Sequence, residues 1–285
     1  MKIAACIITF NPDINRLKKN IEFVFYQVEK IFLYDNGSEN LMHILEICKS
    51  FSKDRIEILA NHENLGLPIN LNDCLKKCNE QNFEWLLTLD QDSICDENLV
   101  MIYKELILEK NDLKIISFTP EILEDRISQE LTNIDISNVL IDKCITSGNM
   151  IKVNEIIKIG GFDESYFIDN VDFDLCARII INGYKIMKTS KTYIHHTIGD
   201  SKEHRIILKK IVSYNHSPIR VYYIFRNTFY YNKKYNKYKD IKIKYRFFLK
   251  KLIIIVLYEK EKFKKIFYAI KGYIDFKKNK LGRKK

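Results

Sequence analysis

At 285 residues the chain can bury one large core or a core with an appendage, and its 46% hydrophobic and 29% charged residues exclude a disordered or fibrous protein. The net charge of +10 is unevenly placed. Lys233 to Lys285 holds 20 basic against 4 acidic residues and residues 1–232 hold 27 against 33, so a mildly acidic body carries a strongly basic tail.

From the N-terminus, β-rich runs alternate with helix-period runs. Strands are predicted at Ile3–Thr9, Lys30–Tyr34, Arg55–Leu59, Glu84–Leu89 and Lys114–Phe118, and helices at Ile14–Gln27, Asn40–Ser50, Pro68–Cys78 and Glu97–Glu109. The alternation predicts an α/β fold with a mostly parallel sheet flanked by helices. No G-x-G-x-x-G or Walker-type loop follows any strand, which argues against a Rossmann dinucleotide site or a P-loop. Met1-Lys2 runs straight into the first strand without a small-residue cleavage site, so a cytoplasmic protein is expected. The seven scattered cysteines read as buried free thiols; Cys74 and Cys78 share a helix face but lack a second ligand pair for zinc.

The strand ends carry the chemistry. Asp90-Gln91-Asp92 follows the apolar run Trp85 to Leu89, at the carboxyl end of a strand, where open α/β sheets bind ligands. Acids at i and i+2 of an extended segment point the same way, which is costly unless a cation or hydroxyl takes them up. Alone, the pair would equally suit a solvated turn capping the next helix. The first strand ends in Thr9-Phe10-Asn11-Pro12 and the second leads into Asp35-Asn36-Gly37-Ser38, itself an ordinary turn or N-cap when taken singly. The third leads to Asn64-Leu65-Gly66, so polar and backbone-permissive residues gather at one edge.

Together with the acid pair, these segments resemble the family 2 glycosyltransferases of the GT-A fold. The resemblance implies Thr9, Asn11, Asp35, Asn36 and Asn64 in a nucleotide pocket, Asp90 near the ribose and Asp92 on a Mg²⁺ or Mn²⁺ ion. Thr146-Ser147-Gly148-Asn149 and Gly160-Gly161-Phe162-Asp163-Glu164 look like the family's acceptor-side segment, and Phe167 to Asp174 like its base-bearing motif, with Asp172 the aligned carboxylate. Val171-Asp172 stands where more usual members have Glu-Asp. That variant, with Asp169, Arg178, His196 to Asp200 and His216 to Asn227, resembles the bacterial rhamnosyltransferase branch over roughly residues 1–232. Arg178 is then expected at the donor, although Asp174 and Arg178, four apart, also suit a helix ion pair. His196 could complete the metal shell through a neutral ring nitrogen. Leu67-Pro68-Ile69-Asn70 departs from the family's small residues, though Asn72 falls where the family has asparagine.

The implied reaction is inverting transfer of a sugar, dTDP-rhamnose being the first-choice donor and a UDP-hexose the second, onto a saccharide or polyprenyl-linked acceptor in surface-polysaccharide synthesis. Residues 1–232 form the expected catalytic domain. Residues 233–285 form an amphipathic helical tail, in which Phe247, Phe248, Leu252 to Leu257, Phe263, Ile266, Phe267, Ile270 and Tyr273 interleave with lysines. It suits peripheral docking on the cytoplasmic face of an anionic inner membrane, or packing on the body, better than nucleic acid. A nucleotidyltransferase is disfavoured by the absence of a Gly-rich basic loop after strand one. A non-catalytic membrane or RNA-binding module would leave the acids idle.

Overall fold

The computed structural model describes residues 1–110, 113–124, 137–196, 201–206 and 209–284. Its chain forms two compact units, the first chiefly Met1–Leu123 with Val171–His196, the second Glu164–Asn170 with the chain from Thr197 onward.

In the first unit a sheet is centred on β1 (Ile3–Thr9), flanked by β2 (Lys30–Asp35) and β4 (Trp85–Asp90), with β3 (Ile56–Ala60) outside β2; these four run parallel. Strand β1 is almost uniformly buried rather than alternating, the signature of a parallel strand covered on both faces. Helix α1 (Ile14–Phe25) closes one face through Leu17, Ile21 and Val24, and α3 (Leu67–Glu80) buries Leu71, Cys74, Leu75 and Cys78. Pro68 sits in the first turn of α3, where its missing N–H costs nothing. Helix α2 (Leu41–Cys48) packs beside α1.

Beyond β4 the sheet continues through β8 (Asn149–Lys152), β6 (Ile115–Glu124), β9 (Lys185–His196) and the short β5 (Ile94–Cys95), with β7 (Asn138–Ile141) paired to β9. The resolved pairings on this side are antiparallel. Helices α4 (Leu99–Glu109), α5 (Val153–Lys158) and α6 (Val171–Ile181) complete the layers. All seven cysteines are buried as free thiols; burial pushes Cys48 up to about 11 and Cys95 up to about 12.

The second unit holds the hairpin β10 (Lys202–Ile206) and β11 (Lys209–Ser213) and three helices, α7 (Pro218–Lys234), α8 (Arg246–Tyr258) and α9 (Lys262–Lys277). Val221, Phe225, Phe248, Ile255 and Ala269 form its core. Helices α7 and α9 approach so closely at Gly272 that a Cβ there would stand 2.5 Å from the Tyr222 carbonyl oxygen. The tail's apolar residues are thus divided: Phe248, Ile254 and Ile255 are inside, while Leu249, Ile253, Val256, Leu257, Phe263, Phe267, Ile270 and Ile274 are exposed, Phe263 at 90%. Two of its lysines are internal as well. Lys265 donates to Glu259 at 2.9 Å and to Asn215 at 2.7 Å, and burial lowers the Lys251 ammonium from its usual range.

Candidate active site

Strand register assembles the edge that the sequence indicated. Thr9 pairs with Asp35 and Ile8 with Asp90, so the three carboxyl ends finish level. Thr9 Oγ1 donates to Asp35 Oδ1 at 3.0 Å, while Asp35 Oδ2 accepts from the Gly37 and Ser38 amides at 3.1 and 2.9 Å. A fully buried carboxylate is tolerated here because donors surround it. Asn36 Oδ1 accepts from Asn70 Nδ2 at 2.7 Å and from the Leu65 amide at 3.2 Å. Asn64 Oδ1 takes the Gly66 amide at 2.9 Å. Asn11, left-handed at φ 48°, receives the Glu39 amide at 2.8 Å and gives its own amide to Ser38 Oγ at 2.8 Å. Thr9, Asn11, Asp35, Asn36 and Asn64 therefore belong to one connected edge. Asn70, part of the departure after Gly66, keeps that edge bonded. Beside it Phe10 stands 46% exposed, its amide donating to Gln91 Oε1 at 2.7 Å.

At the neighbouring strand end three side chains converge. One ligand atom each from Asp90, Asp92 and His196 lies within 4.8 Å of the others, the group of this kind found among the described residues. His196 Nε2 is 3.8 Å from Asp90 Oδ2 and Nδ1 is 3.6 Å from Asp92 Oδ1. Burial raises the Asp92 carboxyl above the usual range; the adjacent Asp90 charge adds to this, and His196 opposes it. Two carboxylates with one imidazole are a donor set suited to Mg²⁺ or Mn²⁺, and the spacing fits a single ion. Asp90, expected at the ribose, thus also belongs to the candidate metal group. No sequence signal marks what holds this loop: Asn20 Nδ2 on α1 donates to the Asp90 carbonyl at 2.7 Å and Arg16 Nε to the Asp92 carbonyl.

Asp172 opens α6, half-buried in its first turn, with Oδ1 accepting from the Phe173 amide at 2.8 Å. A helix N-terminus favours the ionised carboxylate. Just before it, Asp169 and Asn170 are both left-handed, at φ 62° and 64°. Asn227 Nδ2 holds that turn through the Ile168 and Asp169 carbonyls at 2.6 and 3.2 Å, and Asn170 donates to Thr228 Oγ1 at 3.0 Å. The neighbouring Arg226 is buried over Tyr222 and Tyr223, with Nη1 on the Gly282 carbonyl at 2.7 Å. Tyr222, Tyr223 and Phe225 are core residues of α7. Arg178 binds the fully buried Asp174 at 2.9 Å and the Ile159 carbonyl at 3.1 Å, which is the helix ion pair. Of the segment His196 to Asp200, residues 197–200 lie outside the described residues.

Asn72 clamps the turn at Gly161-Phe162, its side chain accepting from the Phe162 amide at 2.7 Å and donating to the Phe162 carbonyl at 2.9 Å. Gly161 has φ 63°, and a Cβ there would meet Asn72 Oδ1 at 2.6 Å. Gly161→Ala is accordingly expected to destabilise the fold by about 1–3 kcal/mol in urea denaturation, as left-handed backbone strain adds to the clash. An unchanged midpoint would mean that the turn relaxes freely.

The glycosyl transferase family 2 model matches residues 4–150, a little over half the chain, including Thr9, Asp35, Asp90 and Asp92. The chain belongs to that family. It is 26% identical over 251 residues to the dTDP-rhamnosyl transferase RfbF of Shigella flexneri, covering 80% of this chain and 78% of the relative. Solved structures of similar fold include S. aureus TarS 1-349, with a TM-score of 0.56 at 12% identity over 97% of this chain and 81% of that one. Another is GalNAc-T7 with UDP, GalNAc and Mn²⁺, with a TM-score of 0.59 at 14% identity over 98% of this chain and 57% of that one. The fold is accordingly GT-A, a central sheet parallel over β3, β2, β1 and β4 and flanked by helices.

Proposed function

We propose that this family 2 glycosyltransferase transfers rhamnose from dTDP-rhamnose to a saccharide or polyprenyl-linked acceptor, with inversion and with a divalent ion, in bacterial surface-polysaccharide synthesis. The observation that carries the reading is the convergence of Asp90, Asp92 and His196 at the carboxyl edge of a family 2 sheet. The dTDP-rhamnosyl transferase relative supports the donor.

In this reading Thr9, Asn11, Asp35, Asn36 and Asn64 line the base and ribose pocket, Asp90 faces the ribose as well as the ion, and Arg178 completes the donor side from α6. Asp92 and His196, with Asp90, would hold Mg²⁺ or Mn²⁺, which when bound supplies charge neutralisation for the departing diphosphate. Asp172 accepts the proton of the acceptor hydroxyl as that oxygen attacks the anomeric carbon. With a base and no enzyme nucleophile, a single displacement inverts the anomeric centre, as in inverting glycosidases. The test is a screen of dTDP- and UDP-sugars scored by release of the nucleoside diphosphate. Release from dTDP-rhamnose above every UDP-hexose is expected; preference for a UDP-hexose would replace the donor, and release from none would remove the activity.

Residues 1–232 carry catalysis in this proposal, and residues 233–285 dock the enzyme on the cytoplasmic face of the inner membrane. The support is the exposed stripe Phe263, Phe267, Ile270 and Ile274 on α9, spaced for one helix face among lysines. No helix of the described residues is long and apolar enough to cross a membrane. Each Lys or Arg near an anionic surface contributes about 1 kcal/mol, reduced by salt, while inserted aromatics resist salt. The full chain should sediment with anionic liposomes, partly surviving high salt, and Phe263→Asp with Phe267→Asp should remove the salt-resistant fraction. Equal binding by both proteins would assign the stripe elsewhere.

A further inference from the structure

Behind the acid pair lies a line of buried hydroxyls. The Asp90 amide donates to Ser147 Oγ at 3.0 Å, Ser147 Oγ donates to Ser93 Oγ at 2.6 Å, and Ser93 Oγ meets His196 Nδ1 at 2.9 Å. Ser93 and Ser147 are completely buried. The line therefore joins the backbone of one candidate metal ligand to the ring of another, across three separate segments. The geometry points to Ser93, supported by Ser147, as the positioning residue that sets the orientation and tautomer of His196 for metal binding, an inference that rests on the metal reading above.

The chemistry follows from donor counting. A serine hydroxyl donates once and accepts twice; a neutral imidazole donates from one nitrogen and accepts at the other. With Ser147 donating to Ser93 and Ser93 donating to Nδ1, the ring proton sits on Nε2, beside Asp90 Oδ2 at 3.8 Å. Nε2 then has no lone pair for a cation. In the reverse sense Nδ1–H donates to Ser93, Ser93 donates to Ser147, and Ser147 still accepts the Asp90 amide. The Ser147 hydroxyl then gives up Ser93 as its acceptor, and the Nε2 lone pair is free on the side of Asp90 Oδ2, 3.8 Å away. The two senses are tautomers of the same neutral ring, so no charge is gained or lost. A histidine ligand whose second nitrogen is held in this way is fixed in orientation, and loss of such a partner typically lowers metal affinity 10–100-fold.

The experiment measures Mn²⁺ binding by electron paramagnetic resonance of the free ion, alone and with UDP, on the full chain. Ser93→Ala should weaken Mn²⁺ about 10–100-fold while leaving metal-free UDP binding unchanged. Ser147→Ala should weaken it less, because Ser93 still reaches the ring. In a His196→Ala background, Ser93→Ala should change nothing further, since its effect passes through that ring. An equal additional loss in that background, or undiminished Mn²⁺ binding by Ser93→Ala, overturns the inference. Asp92→Ala separates the two readings: if Asp92→Ala loses Mn²⁺ and both serine variants keep it, the relay alone is wrong. Wild-type binding by all four variants removes the metal site and the relay together.

Discussion

Asp172→Asn should lower glycosyl transfer by about 10²–10⁴ while leaving nucleotide binding close to wild type, because the change removes a proton acceptor and keeps the size of the side chain. The placement supports so selective an effect. Asp172 stands in the first turn of α6 and takes no part in the Thr9–Asp35 and Asn36–Asn70 hydrogen bonds at the strand ends. The turn before it is held independently by Asn227, so the substitution leaves its anchor in place. Turnover with saturating dTDP-rhamnose and acceptor, set beside calorimetry with dTDP, measures both quantities. Activity retained within tenfold would transfer the base role to another carboxylate. A parallel loss of dTDP affinity would instead mark Asp172 as part of the donor site.

Asp92→Ala should abolish the metal-dependent part of donor binding, and chelation of the wild-type protein should reproduce the defect. The expectation follows from subtraction: three candidate ligand atoms would become two, and Asp90 and His196 alone would hold a divalent ion weakly. Asp90→Ala should weaken binding as well, through the ribose and the ion together. Burial already holds the Asp92 carboxyl above the usual range, so the carboxylate is kept at a cost that a bound cation would offset. Calorimetric titration of dTDP and UDP with and without Mn²⁺ is decisive. Equal affinities under the two conditions would assign the acid pair to hydroxyl recognition alone.

Much of the first unit was legible because its signals are local. Buried parallel strands are short, continuously apolar and followed by polar residues at their carboxyl ends, so β1 appears with its predicted bounds and β2, β3 and β4 within a residue or so of theirs. The helices between them end earlier or later by a turn at most, since capping and fraying decide the last residues. The predicted strand Lys114–Phe118 instead spans Ile115–Glu124, in a place between β8 and β9 that no local period reports.

The acid pair, the polar strand ends and the basic tail were therefore determined by the sequence itself, through spacing and composition. What only the tertiary structure decided are relations between residues far apart in the chain. Ser93 meets His196 across 103 positions and Ser147 across 54, and a lone serine in a loop carries no period by which to be noticed. Arg16 and Asn20 look like the polar residues of an amphipathic helix until α1 is laid against the loop after β4. The tail shows the same limit: helical spacing marks Phe248, Ile255 and Phe263 alike as apolar. Only the packing of α7 against α8 and α9 decides that the first two are core and the third faces solvent, because burial depends on which partner face is present and not on a residue's own hydrophobicity.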